Sequence, residues 1–212
     1  MNVDGSNAVQ LLLLIAGISL VPALLFTVTG FTRILIVLGF IRSGLGTPTA
    51  PPNQVLVGIA FFLTLFVMMP TFKVVKEEAV MPLTKGEITQ EVAYKRAEAP
   101  MREFMFKQVR DKDLALFAKL GDIERPDTRA DIPTHVLIPA FIISELKTAF
   151  QIGFLIFLPF LIIDLVVGAT LMSMGMVMLP PVFISLPFKI LLFVLVDGWN
   201  LVTRSLVESF HV

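Results

Sequence analysis

The sequence predicts an all-α, membrane-associated protein, built from long apolar helical hairpins with a small polar helical segment in the middle. Three observations support this. Hydrophobic residues make up 56% of the 212 positions and charged residues only 16%, whereas soluble domains are about 25% charged. Residues 73–131 hold 12 of the 17 Lys and Arg and 12 of the 17 Asp and Glu. The flanking regions contain long uncharged runs, such as residues 5–32, that are long enough to cross a bilayer.

The first apolar region, residues 1–72, is predicted to form a helical hairpin. No Lys or Arg precedes Arg33, so residues 8–32 are interpreted as a retained helix and not as a secretory signal. The stretch SGLGTPTAPPNQ supplies a glycine- and proline-rich loop, and a second helix follows over 54–72. If the apolar segments all cross the membrane, the loop after Arg42 lies inside and the polar segment lies on the outer, periplasmic side.

The polar region, residues 73–134, is predicted to be helical. Apolar side chains recur near helical spacing, Asp113 is a candidate cap for a second short helix, and Gly121 a candidate end. Two interpretations stay open: the stripe packs within the chain, or part of it contacts another subunit. The stripe consists of Met101, Met105, Val109, Leu116 and Leu120, with Phe104, Phe106 and Phe117 beside it.

The last region, residues 135–212, is predicted to be a pair of long apolar helices. The first covers 136–171, which is too long for one membrane crossing at about 1.5 Å per residue. The second covers 187–210. Between them lies LMSMGMVMLPP, where methionines surround a glycine and precede two prolines. Methionine fills space without fixing it, so this run is either an incidental loop or an element that deforms.

No motif for catalysis or cofactor binding is present. The chain has no cysteine, and its two histidines, His135 and His211, lack metal-ligand spacing. There is no phosphate-binding loop and no nucleophile elbow, and the net charge of zero gives no indication of nucleic-acid binding. We therefore expect a protein that is not an enzyme and that uses no metal or cofactor.

Charged residues inside the apolar helices are candidates for special roles, because an isolated charge there is costly. Glu145 and Lys189 are predicted to form an ion pair, within a subunit or between subunits. The alternative is that each extends separately to an interface. Asp164 and Asp197 are candidates for a proton relay, which would indicate a proton-coupled small-solute transporter.

Five long, contiguous stretches of the chain are distinctive: FTRILIVLGFIRSGLGT, PPNQVLVGIAFFLTLFVMMP, MREFMFKQVRDKDLALF, IPAFIISELKTAFQIGFLIFLPFLIIDLVV and LPFKILLFVLVDGWNLV. They resemble the FliP family of flagellar biosynthetic proteins and the related R component of virulence type III secretion export gates. The resemblance implies an all-helical subunit of a helical oligomeric pore complex in the bacterial inner membrane and flagellar basal body, raised largely toward the periplasm. It implies five copies assembled with R-type and Q-type export-gate subunits and other export-apparatus membrane proteins. Unfolded flagellar proteins would be the substrates.

The resemblance also implies roles for particular residues. Gly175, Met176, Val177 and Met178 correspond to a methionine-rich gasket across the pore, in which Val177 departs from an unbroken methionine triplet. Glu145 and Lys189 would form a salt bridge between subunits, and Phe104 and Phe117 would pack around the ring. A structural basal-body protein without a pore remains a further alternative to the gate.

Overall fold

The computed structural model describes residues 15, 19, 22–123, 128 and 131–210, and within these residues it is helical and contains no strand. This confirms the predicted all-α class. Much of the predicted helix at 8–32, and His211, lie outside the described residues. The helices are α1 Pro22–Val28, α2 Phe31–Leu45, α3 Asn53–Val75, α4 Gln90–Gln108, α5 Asp111–Leu120, α6 Thr134–Ser173, α7 Pro181–Leu195 and α8 Gly198–Glu208.

Two of these helices are long and apolar enough to cross a membrane. One is α3, which continues through a π-helical turn at Lys76–Val80 and a final turn at Met81–Thr84. The other is α6, whose 40 residues extend about 60 Å, roughly twice the hydrocarbon thickness of a bilayer. The pairs α1 with α2, and α7 with α8, meet the same criterion only if each bent pair counts as one span.

The N-terminal hairpin differs from its prediction. The chain bends by 83° between α1 and α2, so the helix that pairs with α3 is α2 and not the predicted 8–32. At the bend, the Thr29 hydroxyl accepts the backbone N–H of Phe31 at 3.3 Å, which begins the new helix. Gly30 is required there, since a Cβ would lie 2.5 Å from the ring of Phe210. The uncharged run does not predict this break, because hydropathy depends on residue composition and is the same for a straight helix and for a bent one.

Helix α2 packs along the first part of α6, and the two helices run parallel. The aromatic ring of Phe40 lies over Gly153, where a Cβ would approach the ring to 2.4 Å. About one helical turn further along α2 and two turns further along α6, the relation is reversed: the ring of Phe160 lies over Gly44, where a Cβ would approach to 2.6 Å. Each helix therefore supplies one ring and one glycine, and the two backbones approach closely at one register.

Helices α4 and α5 cover the N-terminal half of α6. The ring of Phe104 lies 6.0 Å from that of Phe141 on α6 and 6.4 Å from that of Phe210. The predicted stripe is confirmed where Met105 and Val109 are buried. Leu116 and Leu120 are exposed, because the break between α4 and α5 changes the helical phase. For these two residues packing within the chain is not observed, and contact with another subunit stays a prediction.

The start and end of α5 also test the sequence prediction. Helix α5 begins at Asp111, so Asp113 is not its cap. Instead, the Asp113 carboxylate accepts hydrogen bonds from Ser144 on α6 at 2.6 Å and from Arg110 at 2.5 Å. The predicted end at Gly121 is confirmed, since α5 ends at Leu120 with Gly121 as its C-cap.

Helices α6 and α7 form the C-terminal hairpin. The predicted span of α6 is confirmed to within two residues at each end. The predicted last helix at 187–210 is wrong at its start and misses a break within its length, whereas its predicted end lies within two residues of the observed end at Glu208. Helix α7 begins at Pro181, because proline is favoured in the first turn of a helix. It ends before Asp197, whose φ of +51° breaks the helix, and α8 then leaves at 65°.

A buried ion pair joins the first half of α6 to α2. The guanidinium of Arg33 donates to both carboxylate oxygens of Glu145, with a distance of 3.0 Å from Nε to Oε2. It also donates to Gln108 on α4 at 3.1 Å and to the backbone carbonyl of Ser209 at 2.8 Å. The ring of Phe210 lies 4.0 Å from the guanidinium carbon. Both charged side chains are nearly inaccessible, at 2% and 1%.

A second ion pair joins α6 to α7. The Lys189 ammonium donates to Asp164 Oδ2 at 2.6 Å, and the Ser185 hydroxyl donates to Asp164 Oδ1 at 2.5 Å. The predicted pairing of Glu145 with Lys189 within the chain is therefore wrong. Its physical reason is that each of these charges has a nearer partner of opposite sign in its own part of the fold. A bridge between subunits would require both buried groups to leave these partners.

The glycine at the α2–α6 contact gives a first testable prediction. We expect Gly153→Ala to lower the free energy of unfolding by about 1–3 kcal/mol, because the added methyl group displaces the Phe40 ring. Gly58→Ala on α3 is the matched control. Its Cβ meets no atom within 4 Å, so helix propensity alone should raise stability by about 0.5–1 kcal/mol. Thermal unfolding in detergent measures both, and equal midpoints would contradict the packing described.

The assignment of ion-pair partners gives a second prediction, testable by double-mutant cycles. Removing Arg33 or Glu145, or removing Asp164 from beside the buried Lys189, should cost about 3–5 kcal/mol, because a buried charge is left unpaired. The alanine substitutions of Asp164 and Lys189 should couple by about 0.5–3 kcal/mol, and those of Arg33 and Glu145 likewise. The cycle between Glu145 and Lys189 is the control and should show additive effects. Coupling between Glu145 and Lys189, without coupling in the other two cycles, would contradict the partners described here and support the ion pair predicted from the sequence.

Candidate functional site

The methionine-rich run forms the turn between α6 and α7, and glycine makes this turn possible. Helix α6 ends at Ser173, and Gly175 adopts a left-handed φ of +75°. The N–H of Gly175 donates to the carbonyl of Met172, and the N–H of Met176 to that of Leu171, both at 3.0 Å. These two bonds are the Schellman pattern, which satisfies the last carbonyls of a helix and favours glycine at the left-handed position.

Proline defines the other side of the turn. Pro180 is extended, with φ −65° and ψ 116°, and Pro181 opens α7. Proline is compatible with the first helical turn because the N–H that it lacks would have no partner there. Glycine and proline together therefore fix the turn, and the methionine side chains are not needed to form it.

The side chains of the turn form an apolar tip. Met178 is 96% exposed and Val177 is 76% exposed, while Met176 is half-buried beside the end of α6. Met172 and Met174 add further exposed surface on the last turn of α6. Of the predicted gasket residues, the structure thus places Met178 and Val177 outermost and Met176 nearer the hairpin. The sequence pattern does not predict that the valine is more exposed than Met176.

Below the tip, both helices of the hairpin expose large apolar side chains. Such a continuous apolar surface is not stable in water and marks contact with lipid or other protein chains. The most exposed members on α6 and α7 are Phe150, Phe154, Leu155, Ile162, Leu165, Val166, Phe183, Phe188, Leu191, Val194 and Leu195.

The ion pair between Asp164 and Lys189 fixes the hairpin about 14 Å below its turn, at 1.5 Å for each residue of α6. The loop after α2 closes over it. A Cβ on Gly46 would lie 3.6 Å from the Lys189 ammonium and 3.4 Å from Val182, and Gly46 itself has a φ of +76°. This pairing differs from the one predicted from the sequence. One signal was available: Asp164 lies twelve residues before Met176, and Lys189 twelve after Val177, as facing positions of a hairpin must.

The two phenylalanines predicted to pack between subunits have different surroundings. Phe104 is buried within the chain against Phe141 and Phe210, and its role between subunits stays a prediction. The structure therefore favours the other interpretation, packing inside one chain, for this residue. Phe117 is half-buried against the core, and its role between subunits stays a prediction.

The described residues bring no catalytic constellation together. Asp164 is held by Lys189 and Ser185, whereas Asp197 lies exposed at the break between α7 and α8. The two acids that would form a proton relay therefore have separate surroundings. In the part of the chain that the structure describes, no three His, Cys, Asp or Glu side chains are grouped so as to hold a metal ion.

Comparison with known proteins agrees with the resemblance noted in the sequence. The chain is 58% identical over 205 residues to the flagellar biosynthetic protein FliP of Bacillus subtilis (strain 168), covering 97% of this chain and 93% of that protein. It is 55% identical to FliP of Pectobacterium carotovorum subsp. carotovorum, covering 96% and 79%. It is 52% identical to FliP of Treponema denticola, covering 99% and 78%.

The family match extends over residues 14–206, which include the ion pairs, the exposed hairpin and the methionine turn. The similarity to these relatives likewise covers nearly the whole chain. The chain belongs to the FliP family.

Proposed function

We propose that this chain is the core subunit of the bacterial flagellar type III protein export gate, and that its methionine turn closes the gate's pore. Membership of the FliP family supports a role in the flagellar export apparatus. The observation that carries the finer proposal is the apolar tip of the α6–α7 hairpin, where Met178 is 96% exposed on a turn that glycine and proline already define. Such a tip is available to close a pore.

The side chains of the tip have the properties that a deformable seal requires. Several copies of Met178, Val177 and Met176 around one axis would form an apolar constriction, which excludes ions because it does not replace their hydration. Methionine has three rotatable bonds and a polarizable sulfur, so the constriction can reshape around a passing unfolded polypeptide. The branched Val177 is stiffer and would make this gasket less adaptable than an unbroken methionine triplet.

The exposed apolar surface supports the assembly. In the proposed gate, five copies associate with R-type and Q-type subunits in the inner membrane, and neighbouring chains cover the hairpin. Helix α6 is about 60 Å long and so exceeds the hydrocarbon layer, which supports a complex that projects beyond the bilayer. In the proposal this projection is largely to the periplasmic side. A salt bridge of Glu145 with Lys189 between subunits is not part of this proposal, since both groups are buried and paired within the chain.

The proposed gate is not an enzyme and holds no cofactor. Its own residues supply a seal and a scaffold, and the energy for export comes from other components of the apparatus. The transporter alternative has no support from the geometry, because the Asp164 carboxylate is already bound by Lys189 and Ser185.

Thinning the gasket should make the gate leak. We expect Met176→Ala with Met178→Ala to raise ion conductance through the assembled complex on the order of tenfold, because the constriction widens and admits water. The matched control is Met69→Ala, which removes an exposed methionine of α3 far along the chain from the turn. Conductance in proteoliposomes is the measurement. A tight seal in the double variant, with assembly intact, would refute the gasket and favour a structural protein without a pore.

The proposed assembly predicts a defined mass. In mild detergent, the protein should form a species near five times 23.4 kDa, and co-expressed R-type and Q-type partners should add discrete masses. Native mass spectrometry provides the readout. A monomer or dimer under both conditions would contradict the ring, and would leave the methionine turn as an ordinary loop.

A further inference from the structure

An apolar cavity of about 340 Å³ lies in the angle between α7 and α8, on the side that faces α6. Its wall on α6 includes Ile156 and Phe160, its wall on α7 includes Phe193 and Val196, and Leu201 lines it from α8. The walls are formed by apolar side chains and by Gly198, and they present almost no polar surface. The cavity is separate from the methionine turn.

The chemistry of the walls restricts the occupant. A water molecule or a polar ligand in this cavity would find almost no hydrogen-bond partner, and burying unpaired polar groups is costly. The volume is more than twice that of the roughly 150 Å³ apolar cavity that is known to bind benzene. The site therefore fits a hydrocarbon group that is longer than one aromatic ring.

The position of the cavity indicates the source of that hydrocarbon. It lies between α6, which is apolar enough to cross a membrane, and the bent pair α7–α8, which meets the same criterion as one span. Helix α8 is amphipathic: Arg204 and Glu208 form an ion pair on its exposed side, while Val202, which lines the cavity, and Leu206 are buried on the other side. A helix of this kind lies well at the boundary between hydrocarbon and headgroups. Trp199, in its first turn, is the residue type enriched at that boundary.

The wall nearest the bend is fixed in place. A Cβ on Gly198 would lie 2.3 Å from the Phe193 ring, so the ring packs directly on the backbone of α8. The indole of Trp199 meets the same ring edge-on, with the centroids 5.3 Å apart. Phe193 thus separates the cavity from Trp199 by one aromatic ring.

We propose that the angle between α7 and α8 binds one acyl chain of a membrane lipid, which fills the cavity and supports the bend. The acyl chain enters beneath α8, with its headgroup at the boundary where α8 lies. The site does not depend on the pore or the gasket, since none of its residues belongs to the methionine turn.

The sole tryptophan of the chain provides the test. The full-length protein is reconstituted in bilayers of phosphatidylcholine with brominated acyl chains, extracted into a bromine-free detergent and washed. Bromine quenches indole fluorescence at short range, so an acyl chain held beside Phe193 keeps Trp199 quenched after loosely associated lipid has been removed. We expect retained quenching in the wild type, with one bound lipid detected by native mass spectrometry.

Two variants fill the cavity from different walls, and a third variant is the matched control. Ile156→Phe and Val196→Phe add an aromatic ring to the α6 and α7 walls, and both should lose the retained quenching and the bound lipid. Leu155→Phe changes the adjacent, exposed residue of α6 outside the cavity and should behave as the wild type. A variant is compared with the wild type only if the two proteins have the same unfolding midpoint. Because the two filling variants change different walls, either one that meets this condition is sufficient for the test.

Three outcomes would overturn the proposal. Full recovery of wild-type emission after washing would show that no lipid is held. Equal retained quenching in all four proteins would place the lipid elsewhere on the surface. Recovered emission that then depends on protein concentration would show that a second copy of the chain covers the cavity.

Discussion

The fold depends on one buried guanidinium, that of Arg33. Its donors reach Glu145 on α6, Gln108 on α4 and Ser209 near the end of the chain, and the ring of Phe210 covers one side. A buried charge without partners would cost several kcal/mol, so the elements that supply these partners must assemble together. A slip of α2 by one turn along α6 would move the guanidinium away from Glu145 and leave two charges unpaired.

That register has consequences further along the two helices. Only when Arg33 meets Glu145 do the rings of Phe40 and Phe160 fall on their opposing glycines, Gly153 and Gly44. Because α2 is held at this register along α6, the loop that follows α2 lies against the side of the α6–α7 hairpin. There it covers the ion pair that holds the hairpin together. The methionine turn is thus positioned through a series of contacts that begins at Arg33, far from it in the sequence.

The sequence predicts local features of this chain better than pairings between its helices. Gly175 and Pro181 predict the turn, and the long apolar run with few charges predicts α6, because both signals depend on residues that are near each other in the sequence. The partner of Lys189 depends on which helices are neighbours and in which direction they run. Two bases and two acids allow more than one pairing, and a pairing of Glu145 with Lys189 does not take account of the turn between α6 and α7. The parallel packing of α2 on α6 left no local signal.

The polar interactions of the hairpin are concentrated inside it, and its outer surface is apolar. The ion pair of Asp164 with Lys189 is directional and holds α6 and α7 to each other. The apolar contacts that the outer surface can make with lipid or other chains are non-directional, so they tolerate small sliding movements without breaking a hydrogen bond. In the proposed gate, a turn that yields to a passing polypeptide needs both properties. The hairpin must keep its own shape while its tip and its neighbours rearrange around the substrate.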